Sequence, residues 1–183
     1  MNVVPKTRMT VDEFLAWAIG EPGRYELADG EVHAMSPETA SRVDRKFAVQ
    51  VILAGSLRAR GLPCRMMADG MTVRIDEATA YEPDALVYCG PKIGSGSMEV
   101  RDPVIVVEVL SRSTRRIDTN AKLAGYFRLP SLAHYLIVEP DKPLIIHHAR
   151  GAGDTILTRI VTDGVIDLDP PGLSLSVAEI YAA

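Results

Sequence analysis

The sequence predicts an α/β protein in which helices flank a mixed β-sheet. The apolar run 103–110 predicts a strand, residues 117–129 predict a helix that ends before Pro130, and residues 134–138 predict a second apolar strand. A strand–helix–strand succession implies a right-handed parallel crossover. Hairpin-forming segments elsewhere add antiparallel pairs, so the predicted sheet is mixed.

The N-terminal part predicts a short helix followed by a β-hairpin. Residues 10–13 form a capping-box pattern, which is typical of a helix start. Further on, the dipeptide Asp29-Gly30 separates two strand-like segments, 25–28 and 31–35. This dipeptide favours the type I′ turn of a two-residue hairpin.

Residues 41–60 predict an amphipathic helix, because apolar side chains recur there at three- and four-residue steps. These side chains are Val43, Phe47, Val51, Ala54 and Leu57. In the helix predicted at 117–129, the side chains expected to face the core are Ile117, Leu123, Ala124 and Phe127. Short strands are expected at 64–75, 84–89, 144–149, 156–161 and 165–168, and a last short helix at 177–182.

The bulk properties indicate one soluble domain spanning residues 1–183. No apolar stretch approaches the roughly 20 residues that cross a bilayer, and the first residues lack a signal-peptide pattern, so we expect a cytoplasmic protein. The formal net charge of −4 means that contacts to nucleic acid must come from local clusters. Candidate clusters are Arg112, Arg115 and Arg116, or Arg58, Arg60 and Arg65.

The two cysteines of the chain are Cys64 and Cys89. Both are expected to be reduced residues that pack in the interior.

Glu108 is the strongest candidate for a functional residue. It lies inside the apolar strand 103–110, where an unpaired ionised carboxylate is costly and must be paired, neutralised or bound to a metal. Asp84 opens a second apolar segment, so both carboxylates could converge on a hard cation such as Mg²⁺ or Mn²⁺. The alternative is that Glu108 caps the next helix or pairs with an arginine.

Other polar residues are weaker candidates for the same site. Lys122 shares one helix stripe with Tyr126 and could stabilise a phosphate oxygen, although a solvated lysine is equally ordinary there. Glu26 and Glu31 flank the hairpin turn and could reach the metal or be solvated. Ser111 follows the strand of Glu108 and could cap the helix or bind an anion; no nucleophile elbow accompanies it.

The order of several short motifs resembles that of the Uma2 family, which is restriction endonuclease-like. The motifs are Tyr25 to Glu31, Met35-Ser36-Pro37, Pro83-Asp84, Val107 to Ser111, Ser113-Thr114, Asp118, Lys122 and Tyr126, and the similarity covers about residues 8–150. The resemblance implies the PD-(D/E)xK nuclease fold, with Asp84 and Glu108 as metal-binding residues and Lys122 as the site lysine. It places Glu26 and Glu31 near the same site.

Two departures from the family pattern qualify this resemblance. The superfamily lysine would fall at position 110, which is Leu110 here, so Lys122 on the following helix takes that role. Relatives often carry a histidine shortly after the Met-Ser-Pro segment, where this chain has Ala40 to Asp44. We therefore expect a Mg²⁺-dependent DNA endonuclease, acting as a homodimer without an organic cofactor. The alternatives are a nuclease-fold binding or regulatory module with little activity, or a small-molecule hydrolase.

Overall fold

The computed structural model describes residues 7–111 and 115–182, with residues 115–119 by their backbone alone. The helices of this part of the chain are α1 (Val11–Ala18), α2 (Ala40–Ala59), α3 (Arg115–Tyr126) and α4 (Val177–Ile180). The strands are β1 (Tyr25–Ala28), β2 (Glu31–Ala34), β3 (Cys64–Ala68), β4 (Thr72–Arg74), β5 (Ala80–Tyr81), β6 (Ala85–Cys89), β7 (Glu99–Val100), β8 (Pro103–Val109), β9 (His134–Val138), β10 (Ile145–Arg150), β11 (Ile156–Val161), β12 (Val165–Leu168) and β13 (Leu173–Ser176).

A six-stranded sheet forms the centre of the fold, in the order β11-β10-β9-β8-β6-β3. Strands β8 and β9 are parallel and are joined through α3, which confirms the predicted parallel crossover. The other pairs in this sheet are antiparallel. The predicted α/β class with a mixed sheet is therefore confirmed.

A five-stranded sheet carries the N-terminal hairpin, in the order β2-β1-β5-β4-β7. The hairpin turns at Asp29 (φ 50°) and Gly30 (φ 80°), and two positive φ angles are what a type I′ turn requires. The sequence did not predict β5 and β7. These two strands are only two residues long, too short for an alternating pattern to stand out.

Helix α2 packs its buried face against the central sheet, but this face is not the one that its apolar pattern indicates. Val49, Leu53 and Leu57 lie in the core together with alternate residues of β8. Val43, Phe47 and Val51 are instead exposed by 48%, 66% and 52%. The helix itself is confirmed, and the face is corrected: the buried positions nearer its N-terminus are occupied by Arg42 and Lys46, which serve a polar network.

The opposite face of the central sheet packs against α3. Tyr126 and Tyr135 are fully buried there, with their ring centroids 5.1 Å apart. Leu123 and Phe127 pack against this cluster, as predicted, whereas Ala124 is exposed and its predicted place in the core is wrong. The side chain of Ile117, which was also predicted to face the core, lies outside the described residues.

Cys64 and Cys89 form a disulfide, so the prediction of two reduced cysteines is wrong. The two residues are direct partners in the antiparallel pairing of β3 with β6, with their Cα atoms 3.9 Å apart. A separation of 25 residues in the sequence gave no sign of this pairing. Disulfides are rare in cytosolic proteins, and this one therefore weighs against the predicted cytoplasmic location. That location stays a prediction.

None of the described helices combines the length and the apolar character needed to cross a membrane.

Candidate active site

Strand β8 places Glu108 at the end of the central sheet, on the side that faces α3. Its neighbours Val107 and Val109 face the α2 side, so strict alternation along the strand directs Glu108 towards the helix that follows it. The residue is only 3% exposed. Its Oε1 accepts hydrogen bonds from Lys122 Nζ at 2.9 Å and from the hydroxyl of Tyr126 at 2.9 Å. The buried carboxylate is therefore paired, as its burial requires.

Lys122 connects the central sheet to the N-terminal hairpin. Its ammonium is buried, and it donates to Glu26 Oε1 at 2.8 Å as well as to Glu108. Glu26 Oε1 also accepts the backbone N–H of Glu82 at 2.8 Å, which fixes the orientation of this carboxylate. Residues from β1, β8 and α3 thus meet at one buried ammonium group.

Asp84 lies directly before β6, and the pairing of β6 with β8 places its backbone opposite that of Glu108. Ala85 pairs with Val107 in register, and the Asp84 N–H donates to the Val107 carbonyl at 3.1 Å. The two Asp84 carboxylate oxygens accept from Arg42 Nη2 at 2.8 and 2.7 Å. One of them also accepts the backbone N–H of Val109 at 2.7 Å. Burial raises the pKa of Asp84, although Arg42 and the Val109 N–H act in the opposite direction.

Two cations from α2 extend this network towards the surface. Arg42 pairs with Glu38 and donates its Nε–H to the Val109 carbonyl at 2.9 Å. Lys46 lies one turn further along and donates to Asp69 at 2.5 Å and to Glu38 at 2.8 Å. Burial opposes ionisation of Glu38, but the two cations outweigh it and lower the pKa of Glu38.

Arg24 closes the network on the hairpin side. Its guanidinium pairs with Glu82 at 2.5 Å and with Asp69 at 2.9 Å. Burial nevertheless raises the pKa of Glu82 above its usual range. This carboxyl group is therefore the more easily protonated partner of Arg24.

The ion pairs form one extended network. Among the described residues, they join six carboxylates to four cationic groups. The members are Glu26, Glu38, Asp69, Glu82, Asp84 and Glu108, with Arg24, Arg42, Lys46 and Lys122.

The structure brings together most of the predicted site residues. Glu108, Lys122, Glu26 and Tyr126 contact one another, whereas the Asp84 carboxylate contacts Arg42, and the catalytic roles of all five stay predictions.

Two other predicted residues are placed differently. Glu31 is exposed and lies 3.8 Å from Arg8, so it is not part of this network. Ser111 is half-buried just beyond β8, and the rest of its predicted turn, 112–114, lies outside the described residues, as does the side chain of Asp118.

The sequence reasoning missed Arg24, Glu38, Asp69 and Glu82 of this network. It also missed Arg42 and Lys46 on α2. They are four residues apart, so they lie on one helix face. That face also carries the buried Val49 and Leu53. The sequence signal that could have revealed them is that two basic residues lie on the same helix face as two apolar residues.

A second polar pair lies on the central sheet, away from this network. His134 Nδ1 and His147 Nε2 are 3.0 Å apart on the neighbouring strands β9 and β10. His148 points to the other face and contacts Thr158. No cluster of three or more His, Cys, Asp or Glu side chains within the described residues is arranged to hold a metal ion.

The fold and this site define a protein of the restriction endonuclease-like class. A solved structure with this architecture is that of a "putative nuclease belonging to DUF820" from Anabaena variabilis. Its TM-score is 0.75 at 13% identity, over 95% of this chain and 98% of that one. The chain belongs to the Uma2 family, described as "Putative restriction endonuclease", which it matches over residues 11–178.

Two relatives from Synechocystis sp. are similar to this chain over most of its length. "Uncharacterized protein slr1290" is 26% identical over 97% of this chain and 93% of its own length. "Uncharacterized protein sll1609" is 26% identical over 88% of this chain and 93% of its own length. The family resemblance therefore extends over nearly the whole chain.

Proposed function

We propose that this protein is a metal-dependent endonuclease that hydrolyses DNA phosphodiester bonds at Asp84, Glu108 and Lys122. The observation that carries the proposal is the buried ammonium of Lys122. It lies 2.9 Å from Glu108 and 2.8 Å from Glu26, and the pairing of β6 with β8 places the backbone of Asp84 next to that of Glu108. Two strand-borne carboxylates and one lysine are thereby concentrated at one end of the central sheet.

The donor chemistry of the site fits a hard divalent cation. Mg²⁺ is commonly held by one or two carboxylates together with waters and phosphate oxygens, so three protein ligands are not required. Asp84 and Glu108 would hold the ion. Arg42 already occupies both oxygens of Asp84, so the cation would compete with this guanidinium. When bound, the metal would neutralise phosphate charge and lower the pKa of a bound water.

The other site residues have roles that follow from their contacts. The Lys122 ammonium would donate to a non-bridging phosphate oxygen and so stabilise the charge that develops in the transition state. Glu26 holds this ammonium from the hairpin side. The Tyr126 hydroxyl donates to Glu108 and keeps its carboxylate oriented, and burial raises the pKa of Tyr126 well above its ordinary value, so the hydroxyl stays protonated.

DNA as the substrate follows from the family description. A DNA substrate requires basic groups on the protein surface. Because the chain carries a net charge of −4, phosphate contacts must come from locally basic segments. Two copies acting together would address the two strands of a duplex, so a homodimer is part of this proposal.

A second candidate function is favoured by the contact between Arg42 and Asp84. A guanidinium that forms two hydrogen bonds to a buried carboxylate neutralises it without a metal. In that case the chain is a nuclease-fold binding or regulatory module that does little chemistry. Metal binding separates the two candidates.

The test combines plasmid nicking with calorimetric titration of Mg²⁺ and Mn²⁺. The endonuclease should nick plasmid DNA only with metal, and Asp84→Ala, Glu108→Gln and Lys122→Ala should each abolish nicking. Glu26→Gln should weaken it, whereas Glu31→Gln, which changes a carboxylate at the other side of the same hairpin, should leave it unchanged.

Each outcome has a defined meaning. Nicking that survives Asp84→Ala in purified protein would refute the proposed site. A folded wild-type protein that binds no divalent ion would favour the binding module over the endonuclease.

A further inference from the structure

The outer face of helix α2 is an apolar surface whose charged ends are unpaired within the described part of the chain. We define the α2 outer face as Asp44, Phe47, Val51, Gly55 and Arg58, all of which are exposed. At 3.6 residues per turn these positions fall within one stripe, opposite the buried face that contacts the central sheet. Phe47 is 66% exposed and Val51 is 52% exposed. Neighbouring apolar side chains in an exposed stripe are typical of an interaction site.

Gly55 is not explained by packing within the chain. Apart from the backbone of its own helix, a Cβ atom added at this position would meet no atom of the described residues within 4 Å. Glycine in the middle of a helix lowers its stability relative to alanine, so the fold alone disfavours it here. The outer face therefore has a depression at Gly55, about two helical turns from the large exposed side chain of Phe47.

We propose that a second copy of this chain binds the α2 outer face, with the two helices antiparallel and a two-fold axis at Val51. Residues at equal distances on either side of the axis then face each other. Phe47 of each copy meets Gly55 of the other, because each lies four residues from Val51. Asp44 meets Arg58 in the same way, because each lies seven residues from Val51. Every pairing occurs twice, as an isologous interface requires.

Two kinds of complementarity support this register. A large aromatic side chain faces a glycine, which allows the helices to approach closely, and a carboxylate faces a guanidinium at each end. Neither Asp44 nor Arg58 has an ion-pair partner among the described residues. A parallel arrangement would instead place like charges together and oppose Phe47 to itself, so the antiparallel register is favoured.

The proposal is independent of the active site, because Arg42 and Lys46 project from the opposite face of α2. It is tested by sedimentation equilibrium of the full chain. The wild type should be a dimer at micromolar concentration, and Phe47→Glu should be a monomer. Gly55→Leu should also be a monomer, because its side chain fills the depression, while its fold should be retained since the added atoms meet nothing in the monomer.

A charge exchange tests the register itself. Asp44→Arg and Arg58→Asp should each weaken the dimer at least tenfold, and the double variant should regain wild-type affinity. Val51→Cys should form an intermolecular disulfide under mild oxidation, since the two-fold axis brings this residue next to its own copy. Asp44→Cys lies far from the axis and should not cross-link.

Ile160→Glu is the matched control. Ile160 is 71% exposed on the edge strand β11, which is an exposed apolar surface away from α2, so this variant should remain dimeric. A monomeric wild type, or a dimer that persists in both Phe47→Glu and Gly55→Leu, would overturn the proposal. Loss of the dimer in Ile160→Glu alone would place the interface on β11 and would overturn it as well.

Discussion

Replacing Arg42 with glutamine should destabilise the protein and at the same time open Asp84 to a metal. Asp84 is 1% exposed and Arg42 is 8% exposed, so the substitution leaves a buried carboxylate without its main partner. Removing one partner of a buried ion pair costs about 3–5 kcal/mol. Lys46 Nζ at 3.4 Å and the Val109 N–H at 2.7 Å remain in place, so we expect the lower end, about 3 kcal/mol.

Urea unfolding followed by circular dichroism measures this loss, with Arg65→Gln as the control. Arg65 is exposed on β3, and its replacement should change the free energy of unfolding by less than about 0.5 kcal/mol. The double variant Arg42→Gln/Asp84→Asn should lose about 2 kcal/mol less than the sum of the two single losses, because the two groups act as a pair.

Metal should restore part of the lost stability. A cation that binds the native state stabilises it by about 1.4 kcal/mol at a free concentration tenfold above its Kd. Arg42→Gln should therefore be stabilised by Mn²⁺ at lower concentrations than the wild type is. A loss no larger than that of Arg65→Gln would refute the importance of the ion pair. A variant that is destabilised but insensitive to metal would refute competition for Asp84.

Three further predictions concern residues away from this ion pair. Burial lowers the pKa of His147 from 6.5 to about 4, so the unfolded chain binds more protons than the native one between these pH values. Stability should fall by about 3 kcal/mol as the pH drops through this window, and His147→Gln should flatten the profile of urea midpoints; an unchanged profile would contradict this origin. Tyr126→Phe removes a buried hydrogen bond to Glu108 and should cost about 1.5–3 kcal/mol in the same assay, whereas a cost near zero would show that the bond is dispensable. The disulfide Cys64–Cys89 closes a loop with a separation of 25 residues, so reductant should lower the free energy of unfolding by about 3 kcal/mol. Thiol titration of the untreated protein should find no free cysteine, and two free thiols would contradict the disulfide.

Local sequence signals predicted most of the secondary structure. The Asp29-Gly30 turn, strand β8 and the parallel pair β8–β9 could be read from turn chemistry, apolar runs and chain order, because each depends on residues close together in the sequence. The short strands β5 and β7 were missed because a two-residue strand has no pattern of its own. Their existence depends on neighbours that are distant in the chain.

The apolar pattern of α2 predicted a helix but not the face that is buried. Periodicity measures only that apolar side chains recur, and Val43, Phe47 and Val51 do recur, although they are exposed. The buried polar face arises because Asp84, which is distant in sequence, requires counter-ions. Helix formation was therefore decided locally, while orientation was decided by electrostatics between distant segments.

The sequence by itself determined that this chain forms an α/β nuclease-type fold with carboxylates at Asp84 and Glu108. A charged group within an apolar strand must have a partner, and this requirement can be inferred from the sequence alone. Only the tertiary structure decided which partners they have. Lys122 and Tyr126 contact Glu108, whereas Arg42 contacts Asp84, because the packing of α3 and α2 on opposite faces of one sheet brings different side chains to each carboxylate.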